Sequence, residues 1–209
     1  MLFLYMKKEI RVIGIDDAPF NISEMHRISE HDQKSPIFDE FKKGDVLVVG
    51  TIFRGGDWLD GVLSTKVRID GDNSTEKLIS MINKCKFKPQ LQAVILDGIA
   101  LGGFNIVDIQ ELNKKTKLPI IVVIRKYPDF KKIKSVLKKL EKEKKYNLIE
   151  KAGEVIKIKK IYIQVAGISI QDAKEILKIT CTRSLLPEPI RVAHLIGQGI
   201  VKGESKGDA

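Results

Sequence analysis

The stretch Ala93-Val-Ile-Leu96 is wholly apolar and stops abruptly in Asp97-Gly98. A short run of this kind fits a strand buried on both faces of a sheet, because an edge strand alternates in polarity. The Asp then stands at the carboxyl end of that strand, which is where open α/β sheets place their ligands. Glycines at 98, 102 and 103 let the chain turn sharply beyond it. Taken alone, Asp97 serves equally well as a turn former or a helix cap, so the rest of the chain has to supply its context.

A second apolar run ends in acid. Glu9 to Ile15 reads as a strand that halts at Asp16-Asp17-Ala18-Pro19. Asp45 to Phe53 is a strong strand, Arg54-Gly-Gly-Asp57 a hairpin turn, and Trp58 to Ile69 the return strand, giving a three-strand meander. Residues 20–44 read as a long surface loop carrying His26 and His31, with both histidines facing solvent. Gly71-Asp-Asn-Ser-Thr-Glu76 opens a helix whose apolar face is Leu78, Ile79 and Ile82. After the strand at 91–97, a helix from Asn105 or Val107 to Lys115 leads to the apolar strand Leu118–Ile124, which ends in Arg125-Lys126. Strand, helix and strand at these lengths form a crossover between parallel strands.

Farther on, Phe130 to Lys145 reads as a lysine-dense helix with Ile133, Val136, Leu137 and Leu140 as its buried stripe. Its lysine face is expected in solvent. Val155 to Val165 suggests a hairpin or edge strand, Ser169 to Lys178 an amphipathic helix, and Ile190 to about Lys202 a last helix after Pro187-Glu-Pro189. The whole of 1–209 reads as a single domain with loose termini at 1–8 and 203–209.

Composition narrows the partners. The chain has 37 Lys and Arg against 27 Asp and Glu, a net charge of +10. That excess suits an anionic partner such as nucleic acid or a membrane surface, although lysine-rich surfaces also occur in proteins from hot environments. Cys85 and Cys181 lie far apart, which indicates neither a zinc site nor a disulfide framework. Leu2-Phe-Leu-Tyr5 is too short for a signal peptide or a membrane span, and Met6 is an alternative start, so a cytoplasmic chain without a membrane partner is expected.

If the first and fourth strands are adjacent and parallel, Asp16 and Asp97 sit side by side. Glu76, in the first turn of the intervening helix, could project toward the same spot. Clustered carboxylates repel one another unless a cation compensates them. Hard oxygen donors suit magnesium or manganese, and such ions activate water and clamp a phosphodiester.

These pieces resemble the endonuclease V group of ribonuclease H-like nucleases, and more closely the archaeal endonuclease dU family. The matching segments are Gly14-Ile-Asp-Asp17, Leu96-Asp-Gly98 with Gly102-Gly-Phe-Asn-Ile-Val-Asp108, Leu118-Pro-Ile-Ile-Val-Val-Ile-Arg125, and Pro187-Glu-Pro-Ile-Arg-Val-Ala-His-Leu-Ile196. The resemblance implies a mixed central sheet with helices on both faces. It also implies a magnesium- or manganese-dependent endonuclease acting on DNA or RNA, with deaminated or damaged bases as candidate targets in DNA repair. Metal-binding roles fall on Asp16 and Asp97, and the helix-start glutamate on Glu76, with Asp70 and Asp72 as rivals. The basic residue after the fifth strand falls on Arg125, and the acid-or-histidine position of the last helix on His194. Phe104, Asn105, Lys126 and Arg191 join Arg125 as expected nucleic-acid contacts.

The departures are as specific. The Pro-Tyr-Ile-Pro wedge of endonuclease V is replaced here by Thr65-Lys-Val-Arg-Ile-Asp-Gly-Asp-Asn-Ser74, without proline or aromatic. Trp58 and Phe104 are the candidate substitute stacking groups, although Trp58 reads first as strand core. Asp17 reads as a second ligand or, in preference, as the turn residue before Pro19, Asn105 as a ligand group or a cap for the following helix, and Asp108 as a first-turn dipole partner inside that helix. One rival function is a non-catalytic nucleic-acid-binding protein with a vestigial nuclease site. Another is a nucleotide phosphatase, for which the chain lacks a Gly-x-x-x-x-Gly-Lys-Ser/Thr loop.

Overall fold

Alternation along the first strand decides how the sheet is covered. In β1 (Arg11–Asp17), Ile13 and Ile15 enter one hydrophobic cluster and Val12 the other, so Asp16 and Asp17 face opposite sides of the strand end. The computed structural model describes residues 8–20 and 44–207, and the expected loop with His26 and His31 lies outside them.

β2 (Asp45–Arg54) and β3 (Trp58–Arg68) complete the antiparallel meander. α1 (Ser74–Asn83) follows, then β4 (Ala93–Asp97), a small hairpin of β5 (Ala100–Leu101) and β6 (Asn105–Ile106), and α2 (Ile109–Thr116). β7 (Ile120–Ile124), α3 (Phe130–Lys139) and α4 (Tyr146–Lys151) lead to β8 (Ile156–Ile158) and β9 (Ile161–Ala166). α5 (Ile170–Thr180) and α6 (Glu188–Lys202) close the chain.

The main sheet has seven strands in the order β3-β2-β1-β4-β7-β9-β8. β1, β4 and β7 are parallel, and the others pair antiparallel. The meander, the crossover between β4 and β7 and the hairpin at 155–165 thus form as the sequence pattern requires. One face is covered by Leu78, Met81 and Ile82 of α1 with Ile109 and Leu112 of α2. The other is covered by Ala173, Ile176 and Leu177 of α5 with Ile190 of α6. Helices therefore lie on both faces of a mixed sheet.

Three local expectations are corrected. The helix expected from Asn105 or Val107 starts at Ile109, because Asp108 caps it by accepting from the N–H groups of Gln110 and Glu111. Asp108 is therefore the cap, and Asn105-Ile106 forms a strand. The helix expected over 130–145 stops at Lys139, and the chain reverses at Glu141 with φ +55°. There Lys145 turns inward, and its ammonium reaches the carbonyls of Asp70, Gly71 and Phe104 and the Asp72 carboxylate. Trp58 is 63% exposed on the outer strand, because among the described residues no further strand pairs with β3 on that side.

Candidate active site

Two parallel strands in register create the site. Ile15 of β1 pairs with Leu96 of β4, so the next residues, Asp16 and Asp97, are side-by-side neighbours at the carboxyl ends of both strands. Asp97 pairs in turn with Val123 of β7, which brings Arg125 to the same end of the sheet. The Arg125 guanidinium meets Asp97 Oδ2 at 2.6 Å. From the opposite direction α6 packs across β1 and aims His194 at Asp16, with Nδ1 2.8 Å from Oδ2. These groups line a cleft of about 540 Å³ with Asp17, Phe20, Gln198 and Lys202. Asp16, Asp97, Arg125 and His194, all expected from the sequence, are thus brought together.

The close approach of α6 depends on Gly14. A Cβ there would meet the Pro189 carbonyl carbon at 2.4 Å and Ile190 N at 2.5 Å, so only glycine lets the helix start sit on β1. The Thr51 hydroxyl donates to the Pro189 carbonyl at 2.6 Å and fixes the same contact from β2.

The electrostatics follow from packing. Burial pushes the Asp16 carboxyl up to about 6, and the Asp97 and Asp17 charges push the same way while the His194 hydrogen bond opposes them. Asp17 is raised as well, chiefly by burial, against a hydrogen bond its Oδ2 accepts from Gly102 N–H at 2.8 Å. His194 is raised mainly by its hydrogen bond to Asp16. Its tautomer is set from behind. Lys206 N–H donates to Gln198 Oε1 at 3.1 Å, which turns the amide NH2 toward His194 Nε2 at 2.9 Å. Nε2 therefore accepts, and Nδ1 carries the proton donated to Asp16. The described part of the expected loose tail is thus tied to the site through Lys206.

Glu76 is not in this cleft. It is exposed in the first turn of α1 and lines a second cleft with Asp72, Asp108 and Glu111. The rivals are engaged elsewhere, since Asp70 accepts from Phe104 N–H at 2.7 Å and Asp72 pairs with Lys145. The third acid in the Asp16 cleft is Asp17, for which the sequence favours a turn role before Pro19 over that of a second ligand. Gln198 and Lys202, by contrast, were missed. With His194 they make an i, i+4, i+8 ladder on one helix, a spacing that was legible in the sequence.

The expected nucleic-acid contacts divide. Asn105 is fully buried and ties loops together: its Oδ1 accepts from Ser74 N–H, and its Nδ2 donates to the Arg68 carbonyl and to Asn73. It supports the start of α1, not of α2, and has no surface to offer a ligand. Phe104 packs on Ile106, Leu137 and Ile149. Arg191 forks onto the buried Glu188 carboxylate at 2.7–3.0 Å. Lys126 alone remains exposed beside Arg125.

Among the described residues, no group of three or more His, Cys, Asp or Glu side chains converges as a metal cage. Asp16, with Asp97 beside it, still suits a hard cation, because burial and the neighbouring Asp97 and Asp17 charges disfavour its ionised form against the His194 hydrogen bond. Two carboxylates fit magnesium, which commonly keeps several of its waters. No helix among the described residues is long and apolar enough to cross a membrane.

Comparison with known proteins agrees with this architecture. A protein from Methanothermobacter thermautotrophicus, named UPF0215 protein, is 48% identical over 99% of this chain and 95% of its own length. A crystal structure of a protein of unknown function from Archaeoglobus fulgidus superimposes with a TM-score of 0.77 at 36% identity, covering 91% of this chain and 98% of that one. Human ENDOV shares the fold at a TM-score of 0.51 and 15% identity, over 88% of this chain and 81% of that one. So does a Ciona intestinalis endonuclease V variant, crystallised with a 23mer DNA containing an inosine followed by a ribo-adenosine, at 0.51 and 16% over 89% and 83%. The model of the endonuclease dU family matches residues 8–201, and the chain belongs to that family.

Proposed function

We propose that this chain is a magnesium- or manganese-dependent endonuclease of ribonuclease H-like design, cutting DNA or RNA, with deaminated or damaged bases as the candidate targets. The observation that carries the reading is the side-by-side placement of Asp16 and Asp97 on parallel strands, with Arg125 and His194 closing on them. Asp16 and Asp97 would hold the cation, which when bound supplies an activated water and neutralises charge at the phosphate. Arg125 has the planar fork that grips phosphate oxygens and is 41% exposed at its side chain, so it can exchange Asp97 for a substrate phosphate. Gln198 holds the His194 proton on Nδ1, next to Asp16, and keeps Nε2 as an acceptor. His194 is thereby a candidate proton carrier at the edge of the cleft. Lys202 adds positive charge along the same helix.

The test is a cleavage assay with manganese on labelled single- and double-stranded DNA and RNA carrying uracil, inosine, xanthine or no lesion. Metal-dependent cutting of one substrate, lost in Asp97→Asn, is the expected result. Full cutting by Asp97→Asn would overturn the reading.

The replacement of the Pro-Tyr-Ile-Pro wedge by Thr65–Ser74, without proline or aromatic, favours one alternative, a nucleic-acid-binding protein without chemistry. Under that reading neither protein cuts, and both bind in a salt-sensitive, metal-independent way.

A further inference from the structure

We infer that Tyr127 is a base-stacking platform for a single nucleic-acid strand entering or leaving the Asp16–Asp97 cleft. This rests on the nucleic-acid reading above and assigns it a subsite. Tyr127 is 59% exposed, although large aromatic side chains are ordinarily drawn into the interior. It lies two residues beyond Arg125, whose guanidinium is ion-paired to Asp97, so the backbone places it within about 7 Å of Arg125, Cα to Cα. The ring is braced from two sides. Phe130 meets it edge-on at 5.9 Å between centroids and 85° between planes, and Tyr162 does so at 5.4 Å and 66°. Pro128 follows directly and confines the Tyr127 backbone to extended conformations. An exposed aromatic held rigid in this way has already lost the rotamer freedom that binding would otherwise cost.

Its surroundings specify the occupant. Arg125 and Lys126 precede it in the chain, both exposed. Lys157 lies over the neighbouring Tyr162 ring at 6.0 Å. A flat π surface flanked by cations suits a nucleobase attached to a phosphate backbone, and single-strand binders combine these same two elements. The wedge position before α1 has neither aromatic nor proline, and Phe104 is partly buried against Ile106, Leu137 and Ile149, whereas Tyr127 presents an exposed ring next to Arg125 and Lys126.

The experiment measures binding apart from cleavage. Anisotropy of a fluorescein-labelled single-stranded oligothymidylate is followed in EDTA at low salt for wild type, Tyr127→Phe and Tyr127→Ala, with melting midpoints confirming that all three fold. Tyr127→Ala is expected to weaken binding by about tenfold, the loss of one base–aromatic stack, while Tyr127→Phe binds like wild type. Equal affinity of Tyr127→Ala and wild type would overturn the platform and leave the nuclease reading standing. If wild type binds neither this strand nor its RNA counterpart, the nucleic-acid reading falls and the platform with it.

Discussion

Gln198 reaches His194 Nε2 at 2.9 Å with an amide whose orientation Lys206 N–H has already set. The imidazole therefore receives a hydrogen bond on the side away from Asp16 and keeps its proton on the side toward it. Replacing this donor by an acceptor should reverse the preference. In Gln198→Glu the carboxylate draws a proton onto Nε2 and stabilises the imidazolium, so the His194 pKa is expected to rise further above its ordinary range. In Gln198→Leu the pKa should move far less, while the Nε2–H tautomer gains population. Nitrogen-15 NMR titration of the imidazole distinguishes these outcomes, and identical spectra in wild type and both variants would remove Gln198 from this role.

Asp16 makes a prediction about pH. The native carboxyl holds its proton to about pH 6, against an ordinary value of 3.8, so the folded state binds more protons between these values. Stability must then fall as pH rises through that window. His194 acts with the same sign: its raised pKa contributes stability below about 6.5 that is lost as pH climbs through the folded value. Asp16→Asn should therefore flatten the slope and be more stable than wild type near pH 8 by about 1–2 kcal/mol. That is less than the ~3 kcal/mol that moving one carboxyl from 3.8 to about 6 could contribute in full. Urea melts at several pH values test this. Manganese should stabilise wild type more at pH 8 than at pH 5, and should lose that effect in the variant.

The two candidate third acids give opposite expectations. Glu76 is exposed and lines the second cleft, so Glu76→Gln should leave cleavage within about threefold of wild type. Asp17 lines the Asp16 cleft and adds to its charge, so Asp17→Asn should lower cleavage by about a hundredfold. Steady-state rates on the substrate found for wild type decide between them, and the reverse ranking would restore Glu76 to the site.

Gly14 is the position where a single methyl group should do most damage. In Gly14→Ala the new Cβ meets Pro189 at 2.4 Å, so α6 must back away from β1 and take His194 from Asp16. A destabilisation of about 3 kcal/mol, the upper end for overpacking, is expected. The His194 pKa should return toward its ordinary value. A Gly14→Ala protein with native stability and an unshifted His194 resonance would show that α6 docks differently.

Much of the sheet was legible in the pattern of apolar runs. Ala93–Leu96 and Ile120–Val123 are buried on both sides, and continuous hydrophobicity records that directly. Arg54-Gly-Gly-Asp57 announces its own hairpin. Helix ends were harder, because capping depends on which side chain wins a few N–H groups. Asp108 took that role where Asn105 had equal claim by residue type. Lys145 ends a lysine-rich segment that reads as an exposed face, yet it is 7% exposed, because three carbonyls and Asp72 from distant loops compensate its charge.

The sequence by itself determined that two strands end in acid and that a late helix carries a histidine. These are local properties, written in run length, alternation and residue type. Which acids meet was decided only by the tertiary structure. Register between β1 and β4 sets Asp16 beside Asp97, whereas the α1 start carries Glu76 to another cleft and leaves Asp17 in its place. The burial that raises Asp16 and the amide that sets the His194 tautomer belong likewise to the assembled layers. Such contacts join residues up to 178 positions apart. Periodicity covers only neighbours in sequence and carries no record of them.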